Sequence, residues 1–231
     1  MHAEQFMNEL EREVLAHPVL HDPCVTRIAA LEVFPRDQAR RFALAYYPHI
    51  LRTRLYQSNA LGLAEDEGVQ FALAGILHDE YGNGDPARTH MAVYRKFLRA
   101  VGASAEEIAA GGTVIDELRL YIDAMMAYTR GGDWLAAAAA VGIAMEWPIP
   151  YLYGEFLKGL RRIPEITEDD LELFISHVGL DVEHSAQMRD ALLPFAATAE
   201  GQARIRAGVR YNMDARRVFM RGLRREVFGH G

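Results

Sequence analysis

The sequence predicts an all-α fold. Three observations carry that expectation. Apolar residues recur with helical periodicity through almost every segment, and no run of alternating β-branched residues appears. The breaks between segments hold residues that start or stop helices. A chain of 231 residues, half of them hydrophobic, suits one large domain over residues 1–231 better than two small ones.

The elements follow in order. The first helix, at about 4–16, comes from the amphipathic stretch 4-EQFMNELEREVL-15, and the loop 17-HPVLHDP-23 separates it from a second at about 24–33. Pro35 precedes a helical pattern at about 36–63, and Pro48 inside that pattern should kink it. A helix at about 67–80 ends where Gly82, Gly84 and Pro86 fall, and another runs at about 90–101. Ser104, followed by Glu106 and Glu107, caps a helix at about 104–128. Gly131-Gly132 closes it before Trp134 opens the next, at about 133–160. Pro164 lies in the following turn, and Thr167 with Glu168, Asp169 and Asp170 reads as the cap of a helix at about 167–192. The last helix, at about 200–227, carries the basic clusters 215-ARR-217 and 221-RGLRRE-226, which alternate with apolar residues and read as a solvated face.

Composition narrows the function classes. A formal charge of −7 without a basic stripe argues against nucleic acid as a partner. The single cysteine, Cys24, can build neither a disulfide framework nor a cysteine-type zinc site. The N-terminal residues lack the apolar core of a secretory signal, and 135-LAAAAAVGIAM-145 is too short to span a bilayer. A cytoplasmic protein without membrane or nucleic-acid partners is the expectation.

Six residues stand out as donors. His177, Asp181 and His184 lie at offsets of four and seven residues, within about 60° of one another on a helix. They are either polar residues at a helix surface or half of a metal site. Glu183 falls on the opposite side. Glu146 sits in the strongly apolar stretch 139-AAVGIAMEWPIPYLYGEF-156, where a carboxylate is costly unless paired, bonded or bound to metal. A structural role beside Pro148 is the alternative. Glu80 and His90 would stand about 15 Å apart in one unbroken helix. The glycines and proline between them allow the chain to double back and bring both to a common centre. A plain helix–loop–helix connection with polar ends is the other reading. Together, three carboxylates and three imidazoles exceed the four ligands one zinc takes, and they suit two first-row ions such as iron.

With Glu80, His90, Glu146 and 177-HVGLDVEH-184 in that order, the sequence resembles the haem-oxygenase-like di-iron oxidases, related in fold to haem oxygenase, the TenA thiaminases and the PqqC oxidase. The contexts DEYGNG and EWPIPYLYGEFLKGL resemble these proteins too, and the likeness covers about residues 6 to 227. It implies a bundle of about seven core helices with the six residues as ligands of two Fe(II) ions. It also implies O2 as co-substrate and a small amino or carboxylic acid as substrate. Outcomes within the family include N-oxygenation, oxidative C–C cleavage and decarboxylation, often in biosynthetic pathways, and homodimers are common in the fold. Some N-oxygenating members add a carboxylate from the helix before the DEYG-type motif, whereas 46-YYPHILRTRLYQSN-59 contains none. If Tyr47, Leu51, Arg54 and Ser58 form its inward stripe, Tyr47 and Arg54 are the substrate-binding candidates, Arg54 pairing with a carboxylate. The competing readings are a metal-free PqqC- or TenA-like enzyme of the same fold and a non-catalytic helical interaction protein.

Overall fold

The computed structural model describes residues 2–229, apart from the side chains of Leu180 and Asp181. Among the described residues there are twelve α-helices and no strand. In chain order these are α1 (Ala3–Leu15), α2 (Pro23–Ala29), α3 (Arg36–Ile50), α4 (Thr53–Leu63), α5 (Glu67–Glu80) and α6 (His90–Ala100). They continue with α7 (Ala105–Ala109), α8 (Asp116–Arg130), α9 (Trp134–Gly142), α10 (Ile149–Leu160), α11 (Glu172–Leu192) and α12 (Ala199–Phe228). No helix among them is long and apolar enough to cross a membrane.

Three of the long helices expected from periodicity are each broken in two, and each break has a local cause. Pro48 has no N–H for the carbonyl of Leu44, so α3 stops at Ile50 and α4 starts at Thr53. The freed carbonyl accepts instead from Thr113 N at 2.9 Å. That contact needs Gly112, which has φ +82° and whose added Cβ would lie 2.4 Å from Leu44 O. The same turn, with Gly111 at φ +84°, divides α7 from α8. The third break separates α9 from α10. Ile143 N and Ala144 N both donate to Ala139 O, which widens the helix locally, and Pro148 and Pro150 prevent its simple resumption. The carbonyl of Ala140 thereby loses its usual partner, and the buried Asn212 side chain supplies one, with Nδ2 at 2.5 Å.

The capping signals divide. Ser104 and Glu107 form a reciprocal capping box at the head of α7. Thr167 and Asp170 also exchange hydrogen bonds, but these close a turn, and α11 begins only at Glu172.

A single cluster of buried apolar residues runs from Phe6 to Val227. The alanine-rich α9 is buried from Leu135 to Gly142 and lies inside the bundle, with α12, α4 and α8 packed around it. Gly208 permits the α12–α9 approach, since a Cβ there would meet Ala136 O at 2.0 Å. On α12 the expected solvated basic face is only partly present. Arg217 and Arg221 are exposed, but Arg216 is 2% exposed because α12 turns that side toward α3 and α8.

Candidate metal centre

Glu80 is the last residue of α5. Gly82, Asn83 and Gly84 follow with φ of +69°, +54° and +86°, a left-handed run that reverses the chain. Thr89 then caps α6 by accepting from Ala92 N, and His90 becomes its first residue. As a result His90 Nδ1 lies 2.9 Å from Glu80 Oε2. The His177 ring packs against His90, with centroids 4.3 Å apart. Its Nδ1 donates to Leu173 O at 2.6 Å, one turn back on α11, which leaves Nε2 as the lone-pair nitrogen.

The second half of the site comes from the α9–α10 break and the middle of α11. Glu146 lies in the widened turn, outside the continuous helix expected from its apolar context, and is 5% exposed. Its Oε2 is 3.4 Å from His184 Nδ1, while His184 Nε2 is 2.6 Å from Asp79 Oδ2. Gln57 Nε2 lies 3.5 Å from both Glu80 Oε1 and Glu146 Oε1, at the outer limit of a hydrogen bond, and so spans the two halves. Asp181 lies on α11, and its side chain is outside the described residues. Glu183 is exposed.

These side chains border one cavity of about 40 Å³, walled by Glu80, His90, Glu146, His177 and His184 together with Gln57, Tyr153 and Arg216. Ile76, Ile149, Leu173 and Met145 complete it with apolar surface. His90 also borders an outward-facing pocket of about 350 Å³ formed by Asp79, the 82–88 loop and Glu172. Among the described residues no three His, Cys, Asp or Glu groups share a single coordination point; the donors meet in carboxylate–imidazole contacts.

The electrostatics of two of these side chains favour their lone-pair forms. Burial alone would raise the Glu80 pKa, but His90, His177 and the Gln57 amide together pull it from 4.5 to about 2. Burial, then the charge of His90, lowers His177 from 6.5 to about 3, so its ring is neutral at ordinary pH. A buried set of carboxylate oxygens and imidazole nitrogens, with His177 neutral, fits a first-row transition metal.

The two substrate-binding candidates stand elsewhere. Tyr47 is stacked on Tyr94 and accepts from Arg95 Nε at 2.8 Å. Arg54 donates to Leu51 O at 2.9 Å and approaches the Met91 sulfur. Neither lines the cavity. The break at residues 51–52 rotates α4, so the inward stripe is His49, Ile50, Thr53 and Gln57, and Ser58 is exposed. Three further residues enter only with the tertiary structure: Asp79 as a partner of His184, His49 as a cavity residue, and Arg216. For Asp79 the available signal was its place beside Glu80; for Arg216 there was none. Cys24 is fully buried on α2, outside the cavity, and burial pushes its thiol up. His17 meets Asp214 and His21 packs on Tyr151, both away from the cavity.

Solved structures share this architecture. A CADD-like protein of unknown function from Nostoc punctiforme superposes with a TM-score of 0.75 at 16% identity, covering 97% of this chain and 95% of that one. A TenA homologue from Pseudomonas syringae pv. tomato gives a TM-score of 0.70 at 12% identity, over 95% of this chain and 91% of that one. At such identities the likeness is one of fold. No curated protein matches in sequence. The family model described as "iron-containing redox enzyme" matches residues 40–217, a span that contains every cavity-lining donor, and the chain belongs to that family, with the haem-oxygenase-like helical fold.

Proposed function

We propose that this protein is a non-haem di-iron oxidase that uses O2 to oxidise a small amino or carboxylic acid. The observation carrying this reading is the convergence of Glu80, His90, Glu146, His177 and His184 on one buried cavity. With Asp181 on the helix that bears both later histidines, the donors outnumber the needs of one zinc and suit two iron ions. Iron held there by these residues would supply the redox and Lewis-acid chemistry that such an oxidation needs.

The chain's own residues have separable tasks. Glu80 stays ionised and His177 neutral, so both offer lone pairs at neutral pH. The Leu173 carbonyl fixes the His177 tautomer, and Asp79 holds the ring of His184. Gln57 sets the distance between the Glu80 and Glu146 carboxylates. Ile76, Ile149 and Leu173 limit water around the reacting atoms.

Metal analysis of protein purified without chelator is expected to find more than one iron per chain. His177→Ala is expected to lose iron and O2 consumption together. Normal iron content in that variant would overturn the ligand assignment.

A further inference from the structure

Arg216 lines the same cavity, from α12. It is 2% exposed, and among the described residues neither Nη1 nor Nη2 makes a well-formed hydrogen bond. One neighbour is the Tyr121 hydroxyl, which donates its own proton to Asn212 Oδ1 at 3.2 Å and whose oxygen acts on the Arg216 guanidinium as an acceptor. Another is His49, 4% exposed, whose Nδ1 has no hydrogen-bond partner among the described residues. Burial and the Arg216 charge lower the His49 pKa to about 3 while Glu80 acts in the opposite sense, which puts the His49 ring under the influence of both groups. A guanidinium is ionised at any physiological pH. Kept buried with one neutral hydroxyl for its five N–H donors, it is costly, and folded proteins rarely leave such a group so poorly satisfied.

We infer that Arg216 is an anion-recognition residue whose Nη1 and Nη2 take the carboxylate of a small monoanionic ligand, with His49 Nδ1 as an adjoining donor. The two parallel N–H groups match a planar two-oxygen acceptor better than a spherical ion. A polyanion is disfavoured, because the cavity also presents Glu80 and Glu146. About 40 Å³ admits only a few heavy atoms, so a larger acid is accommodated by movement of a flexible side chain such as Met145. Bound this way, the ligand directs its remainder toward the Glu80–Glu146 cluster. That orientation rests on the proposed di-iron reading; the anion site does not.

The test uses the full chain stripped of metal with chelator, so that a carboxylate has no iron to bind. Thermal unfolding and calorimetric titration are followed with acetate, with acetamide as its neutral counterpart and with chloride at matched ionic strength. Acetate is expected to bind saturably and raise the Tm, with acetamide and chloride giving no comparable shift. Arg216→Met is expected to weaken acetate binding about tenfold or more, and Arg216→Lys, which keeps the charge without the fork, to fall between. Should neither variant fold, nuclear Overhauser contacts between the methyl group of bound acetate and the His49 ring protons decide the location, and their absence overturns the site. The inference also fails if chloride or acetamide matches acetate, or if Arg216→Met binds acetate like the parent. Iron content measured separately on Arg216→Met distinguishes this failure from failure of the metal assignment: the anion site predicts unchanged iron.

Discussion

Asp79 Oδ2 lies 2.6 Å from His184 Nε2, and the other nitrogen of that ring faces Glu146 at 3.4 Å. One imidazole is therefore held between a half-buried carboxylate on α5 and a buried one in the α9–α10 turn. A ligating histidine is commonly oriented by such a carboxylate on its second nitrogen. Asp79→Asn keeps the shape and removes the charge. Iron affinity, measured by competition with a chelator, is expected to fall about tenfold to hundredfold. Unchanged affinity would show that Asp79 does not orient the ring.

Asn212 joins the Ala140 carbonyl, exposed by the helix widening, to the Tyr121 hydroxyl. Asn212→Leu leaves the buried Ala140 carbonyl without a donor and the Tyr121 O–H without its acceptor. A loss of about 2 kcal/mol or more in folding stability is expected from denaturant titration. Because the widened turn carries Glu146, iron retention should drop as well. A variant as stable as the parent would mean that the turn does not depend on this side chain.

Gly112 combines a left-handed backbone with a Cβ position 2.4 Å from Leu44 O. Gly112→Ala forces the loop off the carbonyl freed by Pro48, at a cost of about 2 kcal/mol or more. Gly84 has a similar φ of +86° but open space around it, so Gly84→Ala should cost distinctly less. Thermal melts of the two variants make the comparison, and equal losses would refute the role of the close approach.

His49 gives the expected pH dependence. Its pKa falls from 6.5 to about 3 on folding, through burial and then the charge of Arg216. The unfolded chain therefore takes up a proton near pH 6.5 that the folded chain refuses until about pH 3. Its stabilising contribution is complete above pH 6.5 and is lost as the pH falls toward 3, and His177 acts in the same direction. The midpoint of urea unfolding should decline between pH 7 and 4, and His49→Gln should flatten that decline. An identical slope in the variant would exclude His49 as a source.

Parts of the fold and of the candidate site were legible because their cues are local. The capping box of Ser104 and Glu107 is set by neighbours three residues apart. Gly82, Gly84 and Pro86 mark a reversal, and that reversal places His90 against Glu80. The offsets of His177 and His184 put both on one side of α11, where both border the cavity. Their partners were harder to read. Asp79, Gln57 and His49 gain meaning only from the side chains that face them across the bundle.

The helical class and the order of the donors follow from the sequence by itself, since periodicity and turn chemistry act within a few residues. The tertiary structure decided the rest. The break at residues 51–52 exchanged the expected stripe of Tyr47 and Arg54 for one of His49, Thr53 and Gln57. The widening after Ala139 set Glu146 in a turn where a continuous helix was expected. Packing of α12 against α3 and α8 buried Arg216, while Arg217 beside it stayed in solvent. Each outcome depends on which surface a helix face meets across the bundle, in segments remote in sequence, even where a local proline or widened turn starts the break.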